Sequence, residues 1–100
     1  MFNIIARRTL LRYAQRHPLA AAALFRWYAE MLQSTSRNFN ELRVEYPDIS
    51  IVGDDRVVFN IMGNRYRLVA RIVFEYRVLQ IKWFGTHNEY DIINAATIQY

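Results

Sequence analysis

The chain has 100 residues, a hydrophobic content of 53% and a formal charge of +4. That length suits one domain, residues 1–100, and the apolar content is enough for a single core and too high for a disordered chain. The absence of cysteine excludes a disulfide framework, thiolate catalysis and thiolate zinc sites. No apolar run approaches the roughly 18–20 residues that span a bilayer, so a cytoplasmic protein is expected.

The positive charge is carried almost entirely by one residue type. Of thirteen basic residues, twelve are Arg and only Lys82 is Lys. Arg offers a planar fork of donors suited to phosphate oxygens and to stacking on bases. Composition alone leaves open whether the charge serves nucleic-acid contact or only solubility.

Phe2 to Ala6 is a short apolar run, expected to form an edge strand. A helical pattern follows from about Arg8 to His17, where Pro18 ends it. Arg8, Arg12 and Arg16 share one face of that helix, with Leu10, Tyr13, Ala14 and His17 largely opposite. The Arg stripe reads first as a solvated face, with an acidic or nucleic-acid partner as the alternative. His17 is expected to interact with the last helix carbonyls. Pro18 then opens a second helix through the alanines Ala20 to Ala23, Leu24, Phe25, Trp27, Tyr28, Met31 and Leu32. Apolar residues cover more than half its circumference, which wedges it between the first helix and a sheet. Asn38 with Glu41 three residues on predicts a short capped helix ending before Pro47.

From Asp48 the pattern reads as strand, turn and strand, the turn being Gly53-Asp54-Asp55 and the second strand Arg56 to Ile61. Gly63-Asn64 is a good hairpin loop. It pairs Met62 with Arg65, Asn60 with Arg67, Val58 with Val69 and Arg56 with Arg71. Alternation then points Phe59, Ile61, Tyr66, Leu68, Ala70 and Ile72 toward the helices and Arg56, Asn60, Arg65, Arg67 and Arg71 the other way. A next loop at Glu75-Tyr76 places Leu79, Ile81 and Trp83 on the apolar face and Gln80, Lys82 and Phe84 on the open one. Like charges this close cost stability, so the open face is better explained by an anionic ligand than by folding.

Gly85-Thr86-His87-Asn88-Glu89-Tyr90-Asp91 follows. Thr86 and Glu89 have the spacing of a capping box. His87 and Tyr90, three residues apart, lie on one side of a helical turn. A histidine moves protons near neutral pH, and a tyrosine can bond a phosphate or a ribose hydroxyl. The alternation His87, Glu89, Asp91 is a weak metal signal, and no metal or cofactor is expected. These parts suit metal-free RNA cleavage, in which a ribose 2′-OH attacks the adjacent phosphorus while Arg and Lys stabilise the phosphoryl charge.

The blocks Arg56-Val57-Val58-Phe59-Asn60-Ile61, Gly63-Asn64, Tyr66-Arg67-Leu68 and Gly85-Thr86-His87 with Glu89-Tyr90-Asp91 closely resemble the HigB toxins of bacterial toxin–antitoxin modules. The match extends upstream through Trp27-Tyr28 and Tyr46-Pro47. The resemblance implies an α+β, RelE-like fold with N-terminal helices packed on one face of a small antiparallel sheet. It implies a ribosome-dependent mRNA interferase, a type II toxin that cuts translated messages and arrests growth. Its implied partners are a HigA-type helix-turn-helix antitoxin, the ribosome and mRNA, with operator DNA reached only through the antitoxin and no membrane. The family's motif positions together with the face argument cast Arg67 as phosphate ligand, His87 as general acid or base, and Tyr90 as orienting the nucleotide or sharing the proton transfer. Arg65, Lys82, Asn60 and Arg71 are further candidates for RNA contact. The alternative is a ParE-like toxin that shares the fold and binds a protein target such as gyrase without catalysis. A plain RNA-binding module is a third class.

Overall fold

The computed structural model describes residues 1–5 and 7–98. Its elements run β1 (Asn3–Ile5), α1 (Arg7–Arg16), α2 (Ala21–Gln33), α3 (Phe39–Glu45), β2 (Ser50–Val52), β3 (Arg56–Ile61), β4 (Tyr66–Val73), β5 (Val78–Thr86) and α4 (His87–Tyr90). The strands form one five-stranded sheet in the order β1-β5-β4-β3-β2. The chain is α+β, as expected, but the sheet is mixed. β1 runs parallel to β5, while the other pairings are antiparallel. The expected edge strand is there, although Ala6, its last residue in the sequence reading, lies outside the described residues.

Local chemistry accounts for the helix ends. Pro18 opens a 3₁₀ turn, Pro18–Ala20, from which α2 continues. Asn38 accepts from Glu41 N at 2.8 Å and so caps α3. The Glu41 carboxylate accepts instead from Arg37 N, a bond that holds it below the ordinary carboxylate range, helped by the Arg37 side chain. At the far end of α3, burial and a bond to Glu30 push the Tyr46 phenol well above its usual range.

The core lies between the helices and one sheet face. Leu24, Trp27 and Met31 of α2 are buried against Phe59, Ile61, Leu68, Ala70, Ile72 and Leu79. His17 does not cap with its side chain. Its backbone N donates to Tyr13 O at 2.8 Å, and its ring packs edge-on against Tyr66 and Phe84 at 5.5 and 5.4 Å. Proline follows immediately, so the ring is carried down onto the sheet rather than back along the helix axis. Arg77 ties β1 and the loop after α2 together. It donates to Met1 O, Ser34 O and Ser36 O, and its guanidinium lies 3.9 Å from the centre of the Phe2 ring.

The β3–β4 register is the expected one, with Asn60 opposite Arg67, Val58 opposite Val69 and Arg56 opposite Arg71. Between β4 and β5 the expected register holds from Val73–Val78 to Ala70–Ile81, then shifts, because Val69 pairs with Trp83. Lys82 is the extra residue of a β-bulge and has no register partner. The shift exchanges the next two side chains relative to the sequence reading. Trp83 joins Val58 and Val69 on the second face, and Phe84 enters the core, stacked on Tyr66 at 5.5 Å.

The second face is also less open than its sequence implies. Ala95, Ile93 and Ile98 pack on Val58, Val69 and Trp83. Arg56, expected on the open face, is buried beneath them and donates to Ala95 O at 3.2 Å and Ile98 O at 2.5 Å. An apolar Val58–Val69 strip invites such a cover. The two carbonyls take up Nη1 of the buried cation, while Nε, with no hydrogen-bond partner among the described residues, stands 3.8 Å from the Asp54 carboxylate. Hydrogen bonds to a charged group contribute about 1.5–3 kcal/mol each. Arg56→Met should therefore speed amide hydrogen exchange in residues 94–98 more than tenfold while leaving the β3–β5 amides protected, as read by mass spectrometry.

Candidate active site

The half of the second face that the C-terminal segment leaves uncovered lies toward the end of β5. Gly85 is the cross-strand partner of Arg67, and Thr86 is that of Tyr66. The strand runs straight into α4, whose start is defined by a capping box. Thr86 Oγ1 accepts from Glu89 N at 3.2 Å, and Glu89 Oε1 accepts from Thr86 N at 2.8 Å. His87 N also donates to Arg65 O at 2.9 Å, which pins the turn to the β3–β4 hairpin. Two local bonds and one to the hairpin thus fix where the His87 and Tyr90 side chains emerge.

Arg67 is half-buried and held on neutral oxygens. Its Nη2 donates to Asn64 Oδ1 at 2.6 Å, and its Nη1 donates to Asn64 O at 3.2 Å and Tyr66 O at 3.3 Å. The guanidinium carbon stands 5.9 Å from the centre of the Tyr90 ring, a cation–π distance. Among the described residues no carboxylate lies within ion-pair distance of it, so its charge is uncompensated. Tyr90 in turn leans on Trp83, with ring centres 6.3 Å apart.

His87 is partly exposed. Its Nε2 is 3.7 Å from Asp91 Oδ2, one helical turn on, and its Nδ1 is buried with no hydrogen-bond partner among the described residues. Glu89 is occupied by the cap, and the helical turn removes the extended alternation that His87, Glu89 and Asp91 would need to converge. Among the described residues no three His, Asp or Glu side chains are grouped to hold a metal ion.

The other candidates separate. Asn60 faces Arg67 across the strands, its amide 3.5 Å from Asp48 O, and Arg65 is exposed on the hairpin beside the His87 turn. Arg71 is four residues further along β4, roughly 13 Å at the rise of a strand. It sits 3.7 and 3.8 Å from the carboxylates of Asp54 and Asp55, which balance its charge. Lys82 occupies the bulge between these two regions. The Arg8, Arg12 and Arg16 stripe is exposed on α1, among the helices that cover the opposite sheet face. No ion pair engages it among the described residues.

Gly85 makes the arrangement possible. A Cβ there would stand 2.5 Å and 2.6 Å from the Trp83 ring atoms Cη2 and Cζ2, and 2.7 Å from Glu89 Oε1. The indole lies along its own strand over this glycine. The sequence reading missed the role of Trp83 because the bulge is invisible in the alternation. Glycine inside a strand is the one local signal of such a close approach.

The model of the HigB toxin family, a RelE-like toxic component of a toxin–antitoxin system, matches residues 20–93. The chain belongs to the HigB toxin family. The matched span runs from the start of α2 through the α4 turn and so contains every residue of the Arg67, His87 and Tyr90 group. HigB relatives cover nearly the whole chain. The mRNA interferase toxin HigB of Escherichia coli (strain K12) and the mRNA interferase HigB of Shigella flexneri are each 26% identical over 96 residues, which is 94% of this chain and 92% of the relative. No helix among the described residues of this HigB-family toxin is long and apolar enough to cross a membrane.

Gly85→Ala should cost about 1–3 kcal/mol through overpacking against a rigid ring. At roughly 4–8 °C per kcal/mol for a domain of this size, the melting midpoint should fall by several degrees. An unchanged midpoint in a calorimetric scan would show that the Trp83 ring does not lie over Gly85.

Proposed function

We propose that this HigB-family toxin is an mRNA interferase, a metal-independent endoribonuclease that cuts translated messages on the ribosome and so arrests growth. The observation that carries the reading is the uncompensated Arg67 guanidinium, fixed on neutral oxygens and Tyr90 beside the strand end that delivers His87. A cation oriented yet left without a carboxylate is suited to a phosphoryl oxygen. The interferase names of the relatives support the same reading.

In this mechanism the ribose 2′-oxygen attacks the adjacent phosphorus. The O2′–P bond forms, the P–O5′ bond breaks, and a cyclic phosphate and a 5′-hydroxyl result. Arg67 binds the phosphoryl oxygens as their charge grows. His87 moves a proton, from the 2′-hydroxyl or to the leaving oxygen, and Tyr90 orients the nucleotide or shares that transfer. Arg65 and Asn60 flank Arg67 and contact the neighbouring RNA. Lys82 and Arg71 contact more distant nucleotides, Arg71 only where RNA competes with Asp54 and Asp55. The partners are a HigA-type helix-turn-helix antitoxin, through which the complex reaches its operator, and the translating ribosome, which places the protein in the cytoplasm.

Mapping transcript 5′ ends after induction tests the activity. New ends inside translated regions are expected. Intact messages alongside DNA damage would instead point to a ParE-like attack on gyrase. His87→Gln should lower cleavage at least a hundredfold, in line with the ~10²–10⁴ contribution of general acid–base groups, and should relieve growth arrest.

A further inference from the structure

Asn64 sits in the β3–β4 turn, where glycine–asparagine pairs are common for conformational reasons alone. The backbone removes that explanation here. The positive φ angles of the turn fall on Met62 and Gly63, at 56° and 65°, and Asn64 is not among the positive-φ residues. Nor does its side chain close the turn, since Arg65 N donates to the carbonyl of Met62. What the Asn64 side chain does is accept from Arg67 Nη2 at 2.6 Å, while its backbone oxygen accepts from Nη1 at 3.2 Å. Both terminal nitrogens of one guanidinium are therefore held by a single residue.

Resting on the reading of Arg67 as the phosphate ligand, we propose that Asn64 is the positioning residue for Arg67, chosen for being a strong acceptor without charge. A guanidinium on a long side chain is free to rotate unless something anchors it, and misplacement of a charge-stabilising group by about 1 Å costs up to a hundredfold in rate. A carboxylate at this position would anchor it equally well and cancel the charge that the phosphoryl oxygens need. A hydrocarbon would leave the charge but release Nη2, so that only Nη1 stays anchored, on the backbone oxygens of Asn64 and Tyr66. The amide alone satisfies both demands, with the Tyr90 face closing the far side of the guanidinium at 5.9 Å. Asn64 itself is exposed, so its replacement leaves the core untouched.

The two roles open to Asn64 rank the same substitutions in opposite order. As a turn residue, Asp is a better replacement than Ala, because Asp favours turns. As the neutral anchor of Arg67, Asp is the worse one. The test is single-turnover cleavage of a translated message in a reconstituted translation system, over a range of toxin concentrations, with a thermal melt of each variant. Asn64→Ala is expected to lower the maximal rate about tenfold with little change in the half-saturating concentration, and Asn64→Asp about a hundredfold. Melting midpoints of both should stay within about 2 °C of the parent, as for surface changes. Asn64→Asp cleaving as fast as Asn64→Ala, or faster, overturns the proposal, as does wild-type cleavage by both. Arg67→Ala run in parallel separates the two levels. Loss of cleavage in that variant with full cleavage in Asn64→Asp rejects only the positioning role, whereas full cleavage by Arg67→Ala rejects the phosphate role on which it rests.

Discussion

The indole of Trp83 lying on Gly85 is the contact around which the second sheet face is arranged. It exists because Lys82 is an extra residue in β5, so that Trp83 and Gly85 both fall on the face of Val69 and Arg67. Without the bulge Trp83 would enter the core and Phe84 would stand outside. With it, one large ring stands beside Tyr90, ring centres 6.3 Å apart, and a side-chain-free position lies directly opposite Arg67. The same slip sends Phe84 inward to meet Tyr13, His17 and Tyr66. A single backbone irregularity thus serves the core on one side and the candidate site on the other. Bulges often re-aim side chains beside active sites, and this one re-aims two.

Arginine is the common currency of the chain, and its copies do physically different things. Arg77 is a clamp whose fork satisfies carbonyls of Met1, Ser34 and Ser36. Arg56 is buried under the C-terminal segment and holds it by two carbonyls. Arg71 is balanced by Asp54 and Asp55. Arg67 is held by the neutral oxygens of Asn64 and Tyr66 beside the His87 turn, half-buried and with no carboxylate at ion-pair distance among the described residues, which leaves it available to an anion. Partner chemistry, rather than residue type, distinguishes a structural cation from one available to a ligand. A count of basic residues on a strand face therefore overstates the ligand-binding surface.

Several expectations were sound for local reasons. The Asn38 cap, the Thr86–Glu89 capping box, the proline stops and the hairpin involve residues within a few positions of one another, and each appears close to where it was expected. The β3–β4 register held because its turn residues and alternation agree on one pairing. The His17 ring, the parallel docking of β1 and the segment over Val58 were not legible. Each depends on residues far apart in sequence that meet only once the sheet exists. The Arg67, His87 and Tyr90 neighbourhood was approached from sequence by face and family motif, whereas the hold of Asn64 on Arg67 needed coordinates.

The sequence by itself determined the element order, the inward face of β3 and β4, the capped turn carrying His87 and Tyr90, and membership of the HigB toxin family through motifs in fixed order. Those properties are set by short-range periodicity and turn chemistry, which a linear reading contains. Tertiary structure decided which face Trp83 and Phe84 occupy, how much of the basic face stays open, and which arginines of that face stand beside carboxylates. An extra residue in a strand has no signature in composition, and whether a cation finds a carboxylate depends on contacts between chain segments that only folding brings together.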